Sequence, residues 1–474
     1  MTILRTLAAT LVALALAGCQ TTPTTPPALD LPAPTLAQPP ANLERWWTTF
    51  GDPVLDRLVD EALAHNLDLA AALARVELAR ANVLLAQSDL YPSVGLQVGA
   101  SRNRITEVGS QPLPQGVDPL SSNFSVGLAA SYELDLWGKY RASTEAARRT
   151  LLATAYARET VRTTVAAEVA RAYFSLLAAD AELALLRDTV RSRDESVGLQ
   201  RDRFESGVVG ELDLRQAEAE RSSVLANIAI VERAIGLYEA ALAALAGRSP
   251  RDVFTPSVAR TDATTRLLAV PTIPEGLPSG LLERRPDVRR VEAELAAASL
   301  RIDAARADYF PSVALTGFLG TESAALRSLF SGPALAWSLG AALAQPLIGL
   351  KAIEANVEAQ RARREETVVA YRQTVQAAFR ETHDALVVNR TARAALAAQA
   401  ERRLALEKAL ELADLRYRSG YSGYLEVLDA QRQLLQAQTL EIDAARDARN
   451  ALVDLAKALG GGWTPDAVQA AAAE

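Results

Sequence analysis

The chain of 474 residues contains one cysteine, Cys19, one methionine, the initiator, and two histidines, His65 and His383. A single cysteine excludes any disulfide within the chain. Each histidine lies in a helical stretch with no ligating neighbour at metal-binding spacing, and no internal methionine is present, so there is no donor set for a transition metal. A Gly-rich phosphate loop and a Gly-x-Ser-x-Gly elbow are also missing, which leaves nucleotide and serine-hydrolase chemistry without residues to act through. Charge of one sign is scarce as well. The 50 basic and 57 acidic side chains nearly cancel to −7, and without a long basic block a nucleic-acid partner has no support. Beyond Cys19 no apolar run approaches the roughly 18 residues of a membrane helix. Any bilayer crossing must then use strands. The expectation is a protein that is not an enzyme and carries no cofactor.

What is present begins at the N-terminus. Arg5 precedes an apolar run from Leu7 to Ala17, long enough for the core of a signal peptide and too short to span a bilayer. Leu16-Ala17-Gly18-Cys19 resembles the bacterial lipoprotein signal. This implies that residues 1–18 are removed and that Cys19 becomes a lipid-bearing N-terminus, the covalent lipid being the only added group. Gln20 in place of an aspartate points to the outer membrane. Two or three acyl chains anchor stably, since each buried methylene contributes about 0.8 kcal/mol. Residues 19–45 form the tether. Its stretch from Thr21 to Pro40 holds seven prolines and tends to extended polyproline-like structure.

The body of the chain is written twice. Tyr91-Pro92-Ser93-Val94 returns as Phe310-Pro311-Ser312-Val313, and Leu136-Trp137-Gly138-Lys139 returns more weakly as Leu347-Ile348-Gly349-Leu350. Phe204-Glu205-Ser206-Gly207 with Glu211 to Ala217 returns as Tyr417-Arg418-Ser419-Gly420 with Tyr424 to Ala430, at a constant offset of 213. This is a tandem duplication with a unit far longer than any solenoid repeat. The first repeat spans 46–246, a linker 247–285 follows, the second repeat spans 286–463, and a disordered tail of 464–474 is expected.

Each repeat opens with a helical pattern. In the first, Leu55, Leu58, Val59 and Ala62 share a face, with a break near His65-Asn66. After Tyr91-Pro92 the period changes to two. Val94, Leu96, Val98 and Ala100 alternate with small or polar residues, as do Phe124, Val126, Leu128, Ala130, Tyr132 and Leu134, giving a hairpin over 93–135. The second repeat predicts another over 312–345, with Leu335, Trp337, Leu339, Ala341 and Leu343 on one face. Strands of about 10 residues with one apolar face suit a transmembrane barrel or a soluble sheet. Four strands cannot close a barrel, and open edges are not tolerated in lipid. Shared among three chains, twelve strands leave a lumen.

Long proline-free runs follow each hairpin, predicting helical hairpins over 139–245 and 351–459. The first rising helix, of about 65 residues, reaches ~100 Å at ~1.5 Å per residue. Along it Val165, Val169, Ala172, Leu176, Ala179, Leu183, Leu186 and Val190 recur at spacings of four and three, the heptad seam of coiled-coil packing. Glycines in Ser206-Gly207 and Gly210, and in Ser419-Gly420 and Gly423, mark the turns at which the helices reverse.

Leu16 to Cys19, Trp46 to Pro53, Tyr91-Pro92-Ser93, Glu133 to Lys139, Arg284-Arg285-Pro286-Asp287, the segment Gly420 to Arg432 and Lys457 to Trp463 together resemble the TolC-like outer-membrane efflux factors, in their NodT-type lipoprotein branch. The resemblance spans nearly the whole chain. It implies an α+β membrane protein in the outer membrane, a homotrimer with a twelve-stranded β-barrel continued by a twelve-helix coiled-coil α-barrel through the periplasm. Such proteins are passive exit ducts joined to a periplasmic adaptor and an inner-membrane pump. In the family a leucine and an aspartate narrow the periplasmic end. The matching positions are Leu425 and Asp429, with Arg432 a basic partner one turn on, or else Asp429 makes a plain surface pair. The first repeat has Gln216 and Ala219 there. The turns, with Ser206, Gly207, Gly210, Asp213, Ser419, Gly420, Gly423 and Glu426, are the expected adaptor contacts. The competing reading is a lipid-anchored coiled-coil envelope protein without a pore, which needs no membrane strands.

Overall fold

The computed structural model describes residues 44–108, 116, 118–261, 270–271, 284–464 and 468. The expected signal peptide, Cys19, most of the expected tether, much of the expected linker and most of the expected tail lie outside the described residues. The elements are α1 (Pro53–His65), α2 (Leu67–Ser88), β1 (Ser93–Arg104), β2 (Leu120–Glu133), α3 (Lys139–Glu205), α4 (Glu211–Leu245), α5 (Pro250–Phe254), α6 (Pro286–Ala307), β3 (Ser312–Ser323), β4 (Leu335–Ala344), α7 (Leu350–Arg418) and α8 (Tyr424–Ala458). Among the described residues, one compact unit comprises Glu77–Leu151 and Glu292–Ala370, and the other falls within Ala28–Val76, Leu152–Val291 and Tyr371–Glu474. Each unit therefore draws on both repeats.

The first unit holds one antiparallel sheet in the order β1-β2-β3-β4. Its registers pair Leu96 with Leu128, Leu128 with Leu319, and Leu319 with Trp337, so the apolar residues of all four strands share one face. Among the described residues nothing covers that face, and Leu96, Leu128, Leu319, Trp337, Leu339 and Leu343 are all exposed. The other face is small and polar. There the Phe318 ring lies over Gly127 and Gly320, where added Cβ atoms would stand 2.6 Å and 2.9 Å from it, an aromatic filling the gap that paired glycines leave. β3 runs on through Ser323, three residues past the alternating pattern, because its upper end pairs with β2 as far as Phe124 opposite Ser323.

The Glu133 to Lys139 motif is the joint between strand and helix. The Asp135 carboxylate accepts from the backbone N–H of Tyr140 at 3.1 Å and Arg141 at 3.0 Å, capping the start of α3 as short acidic side chains do. Gly138 makes the turn at φ 77°. Trp137 Nε1 donates to the Pro311 carbonyl at 2.7 Å and its ring stacks on Phe310 at 4.7 Å, while Lys139 Nζ stands 2.8 Å from Asp308. That hydrogen bond to Asp308 raises the Lys139 ammonium above its usual value against the opposing effect of burial. The motif thus ties the first repeat to the second.

The second unit is helical. Its main core gathers Trp47 and Leu55 with Tyr173, Phe174, Leu176 and Leu177 of α3 and Leu242 of α4, and a fully buried side chain of this size contributes about 1.5–3 kcal/mol. The Phe50 to Pro53 segment serves this core through Asp52, which caps α1 by accepting from Val54 N at 2.9 Å. Its other oxygen accepts from Tyr173 Oη at 2.9 Å and Thr261 Oγ1 at 2.8 Å. Burial, with Asp52 beside it, pushes the Tyr173 phenol far above its usual value. Arg449 is buried among aromatic rings, 5.1 Å over Phe174 and 5.8 Å over Phe50, a cation–π setting that replaces part of its lost hydration.

The break after α1 is built from Asn66, whose Oδ1 accepts from Asp68 N at 2.9 Å and whose Nδ2 donates to Leu245 O at 2.9 Å. Gly247, at φ 67°, permits this close approach, for a Cβ there would lie 2.0 Å from the His65 carbonyl. Along α3 the upper part of the heptad stripe faces the main core. Its lower part, Ala179, Leu183, Leu186 and Val190, packs with Val224 and Val231 of α4.

Candidate functional site

The two helix reversals are the same structure made twice. In the first, Gly207 N–H donates to Phe204 O at 2.9 Å and Val208 N–H to Arg203 O at 2.9 Å. In the second, Gly420 N–H donates to Tyr417 O at 3.0 Å and Tyr421 N–H to Arg416 O at 2.9 Å. Gly207 and Gly420 take φ 71° and 76°, the left-handed conformation that closes a helix and favours glycine. Gly210 and Gly423 differ from them. They precede α4 and α8 at φ −78° and −82°, with open space where a Cβ would go, so the backbone does not require glycine at either position. Asp213 and Glu426 fall in the first turns of α4 and α8, where the helix dipole favours acids. Glu426 also pairs with Arg416 at 2.9 Å.

Behind the turns Val197, Leu214, Ala217, Ala413, Tyr424, Val427 and Leu428 form a small core. Tyr417 Oη accepts from Gln200 Nε2 at 2.9 Å and from Arg203 Nη1 at 2.6 Å, which links α3 to α7. Deeper in, Arg193 is 3% exposed and donates to the Gln431 side-chain oxygen. Burial pulls its guanidinium below the usual value, and the Tyr424 hydroxyl nearby is pushed up by burial as well. An open groove of about 590 Å³ runs beside this core. Glu195, Glu407, Glu411 and Asp414 line it together with Arg203 and Arg418.

Leu425, Asp429 and Arg432 form one exposed stripe on α8, opposite the buried Tyr424, Val427 and Leu428. Leu425 is 60% exposed and Leu428 fully buried. The Asp429 carboxylate accepts from Gln433 Nε2 at 2.6 Å. Arg432 turns to the other repeat and places its Nε 2.7 Å from Glu220 of α4. This hydrogen bond raises the guanidinium above its usual value. Within one chain, then, the basic residue near Asp429 is committed to Glu220. The sequence reading passed over Glu220, Arg193 and the groove, all products of contacts between distant segments. It also passed over Leu212, exposed on α4 at the place that matches Leu425, although the offset of 213 points straight to it.

The family model described as outer membrane efflux protein matches residues 58–248 and again 277–461, one match in each half of the chain. The chain belongs to the outer membrane efflux protein family. Among curated relatives of this efflux protein, the probable efflux pump outer membrane protein TtgC of Pseudomonas putida is 33% identical over 457 residues, covering 95% of this chain and 93% of TtgC. A crystal structure of a membrane protein from Pseudomonas aeruginosa aligns with a TM-score of 0.86 at 34% identity, over 93% of this chain and all of that one. The Campylobacter jejuni outer membrane channel CmeC aligns with a TM-score of 0.83 at 27% identity, over 92% of this chain and 95% of that one. The efflux protein is accordingly an exit duct in the outer membrane that extends into the periplasm.

Proposed function

We propose that three copies of this efflux protein close a twelve-stranded barrel in the outer membrane, continued by twelve helices around a periplasmic bore. Small molecules pass through it from an inner-membrane pump and a periplasmic adaptor to the exterior. The observation that carries this reading is the sheet, whose broad apolar face is bare among the described residues and whose edge strands β1 and β4 there have one neighbour each. A bare apolar face suits lipid, and unpaired edges in lipid must be closed by more strands. Eight strands from two copies fill their own interior, whereas twelve leave a passage. A pore-free envelope spacer would leave this face without a use.

The exposed stripe of α8 supplies the constriction. Leu425 contributes an apolar ring and Asp429 three carboxylates about the axis. Arg432, held by Glu220, flanks that ring. The turns at Ser206-Gly207 and Ser419-Gly420, with Asp213 and Glu426, meet the adaptor, and Gly210 and Gly423 admit close approach there. A lipid on Cys19 adds anchorage to the outer membrane, and the chain itself performs no catalysis. Reconstitution tests the reading. Detergent-purified protein should have the mass of a trimer by light scattering and conduct ions in planar bilayers, and a non-conducting monomer would refute it.

A further inference from the structure

The charged side chains of the four strands are sorted by sign between the two faces of the sheet. Along β1, Val94, Leu96, Val98 and Ala100 lie on the apolar face, and the same alternation puts Arg102 and Arg104 there too. Glu133 of β2 and Glu322 of β3 fall on the small, polar face. There Glu133 accepts from Tyr140 Oη at 2.9 Å and Glu322 from Asn123 Nδ2 at 2.8 Å. Both guanidiniums thus share the face that the proposed barrel turns to lipid, and none of the four strands places a carboxylate on it.

Their height on the sheet decides what they can meet. Ala100 stands opposite Phe124, and Arg102 and Arg104 lie beyond that pair, opposite Ser122 and Leu120. The apolar stripe from Leu134 to Phe124 is ~34 Å long at ~3.4 Å per residue, and a strand tilt of ~45° lowers its height to ~24 Å. That matches the ~25 Å apolar band of outer-membrane barrels. The two arginines therefore stand just above the hydrocarbon, at the end of β1 away from the helices. Because the helices extend into the periplasm, this end belongs to the outer leaflet. Arg102 is exposed and has no hydrogen-bond or ion-pair partner among the described residues. Arg104 places one nitrogen 3.1 Å from Glu107, with both side chains more than half exposed. Long basic side chains at this depth lift their heads toward polar headgroups while their stems stay on apolar surface.

We propose that Arg102 and Arg104 form a binding site for the phosphates of lipid A, the phosphorylated, multiply acylated glycolipid of the outer leaflet. The assignment rests on the barrel proposed above, which would carry one such site per copy. Two residues apart on one face, the arginines have their Cα atoms ~7 Å from each other. One phosphate can then take paired hydrogen bonds from the Arg102 fork while Arg104 reaches a further oxygen of the same headgroup. The Ser122 hydroxyl lies opposite Arg102. Charge complementarity selects the occupant, since two cations on a face without carboxylates attract anionic lipid. The acyl chains of the same molecule lie on Ala100, Phe124 and Val126, which continue the apolar stripe directly below. Glu107 competes with the phosphate for Arg104.

The test uses the detergent-purified full-length protein and counts bound lipid by native mass spectrometry. Three probes are compared: diphosphorylated lipid A, lipid A stripped of its phosphates, and phosphatidylglycerol. The unaltered protein should hold diphosphorylated lipid A about tenfold more tightly than either of the others. Arg102→Gln with Arg104→Gln should erase that preference, whereas Arg102→Lys with Arg104→Lys, which keeps the charge, should preserve it to within about threefold. Glu107→Gln should tighten lipid A binding, and weaker binding in that variant would count against the site. A trimer by light scattering that binds phosphatidylglycerol as well as lipid A, or whose paired glutamine variant keeps the preference, would overturn the site and leave the duct standing. A non-conducting monomer that binds none of the three lipids would overturn both.

Discussion

The return helices α4 and α8 leave turns that match hydrogen bond for hydrogen bond, and from there they diverge. α4 carries Leu212, Gln216 and Ala219 along the stripe where α8 carries Leu425, Asp429 and Arg432. The buried residues of α4 are six apolar side chains, whereas α8 also buries Glu441 and Arg449. Glu441 is held there by Arg403 at 2.6 Å. Duplication fixed the backbone of both reversals and left the side chains of each free to specialise. One return helix became the packed, charged element and the other a plainer support that lends Glu220 to Arg432.

If that division holds, substitutions at matching places should act unequally. Asp429→Ala is expected to raise single-channel conductance several-fold in planar bilayers, and Leu425→Ala to act in the same direction. Gln216→Ala, at the matching place on α4, should leave conductance as it was. Equal effects from the two helices would erase the distinction. For stability the informative pair is Leu428 and its counterpart Arg215. Leu428 is fully buried, so Leu428→Ala should cost about 2–5 kcal/mol, read as a lower thermal midpoint. Arg215→Ala, on the exposed face of α4, should leave the midpoint in place.

The turns themselves should respond alike. Gly207→Ala and Gly420→Ala each force a side chain into the left-handed region at about 1–2 kcal/mol, measurable by urea denaturation. Gly210→Ala and Gly423→Ala meet neither strain nor neighbours and should fold normally, so any loss of adaptor binding in a pull-down would report on close approach. The smallest effect concerns Glu182, which faces Asp443 of α8. Burial, then Asp443, raises its pKa, so the folded state holds this proton more tightly than the unfolded one. Stability from this group is present below the unfolded value of roughly 4.3 and is lost as pH rises through the folded value. Glu182→Gln should therefore raise the midpoint at neutral pH, with the gain fading in acid.

Local chemistry made much of this legible from the residues alone. α4 runs over Glu211–Leu245 as its pattern predicts because Gly210 opens it and no proline interrupts it. The sheet faces follow from strict alternation, and Leu55, Leu58, Val59 and Ala62 are buried as one stripe. What escaped depends on partners far along the chain. Thr321-Glu322-Ser323 does not alternate, and only pairing with β2 makes it strand. Trp137 stood out as a motif, but its acceptor is the Pro311 carbonyl, 174 residues away. Arg432 was readable as a neighbour of Asp429 on the helix, but no local rule announces that it would turn to Glu220, 212 residues distant.

The sheet face behind the Phe318 ring is made largely of glycine, alanine and serine, with Glu133 and Glu322 as its carboxylates. A surface so short of reach gives a passing solute few handholds, since it presents little apolar area to adhere to and few fixed groups to grip. Lining a bore with it would lower friction for unlike cargoes at once, at the expense of any power to sort them. Discrimination would then have to be finished before a molecule arrives at the strands.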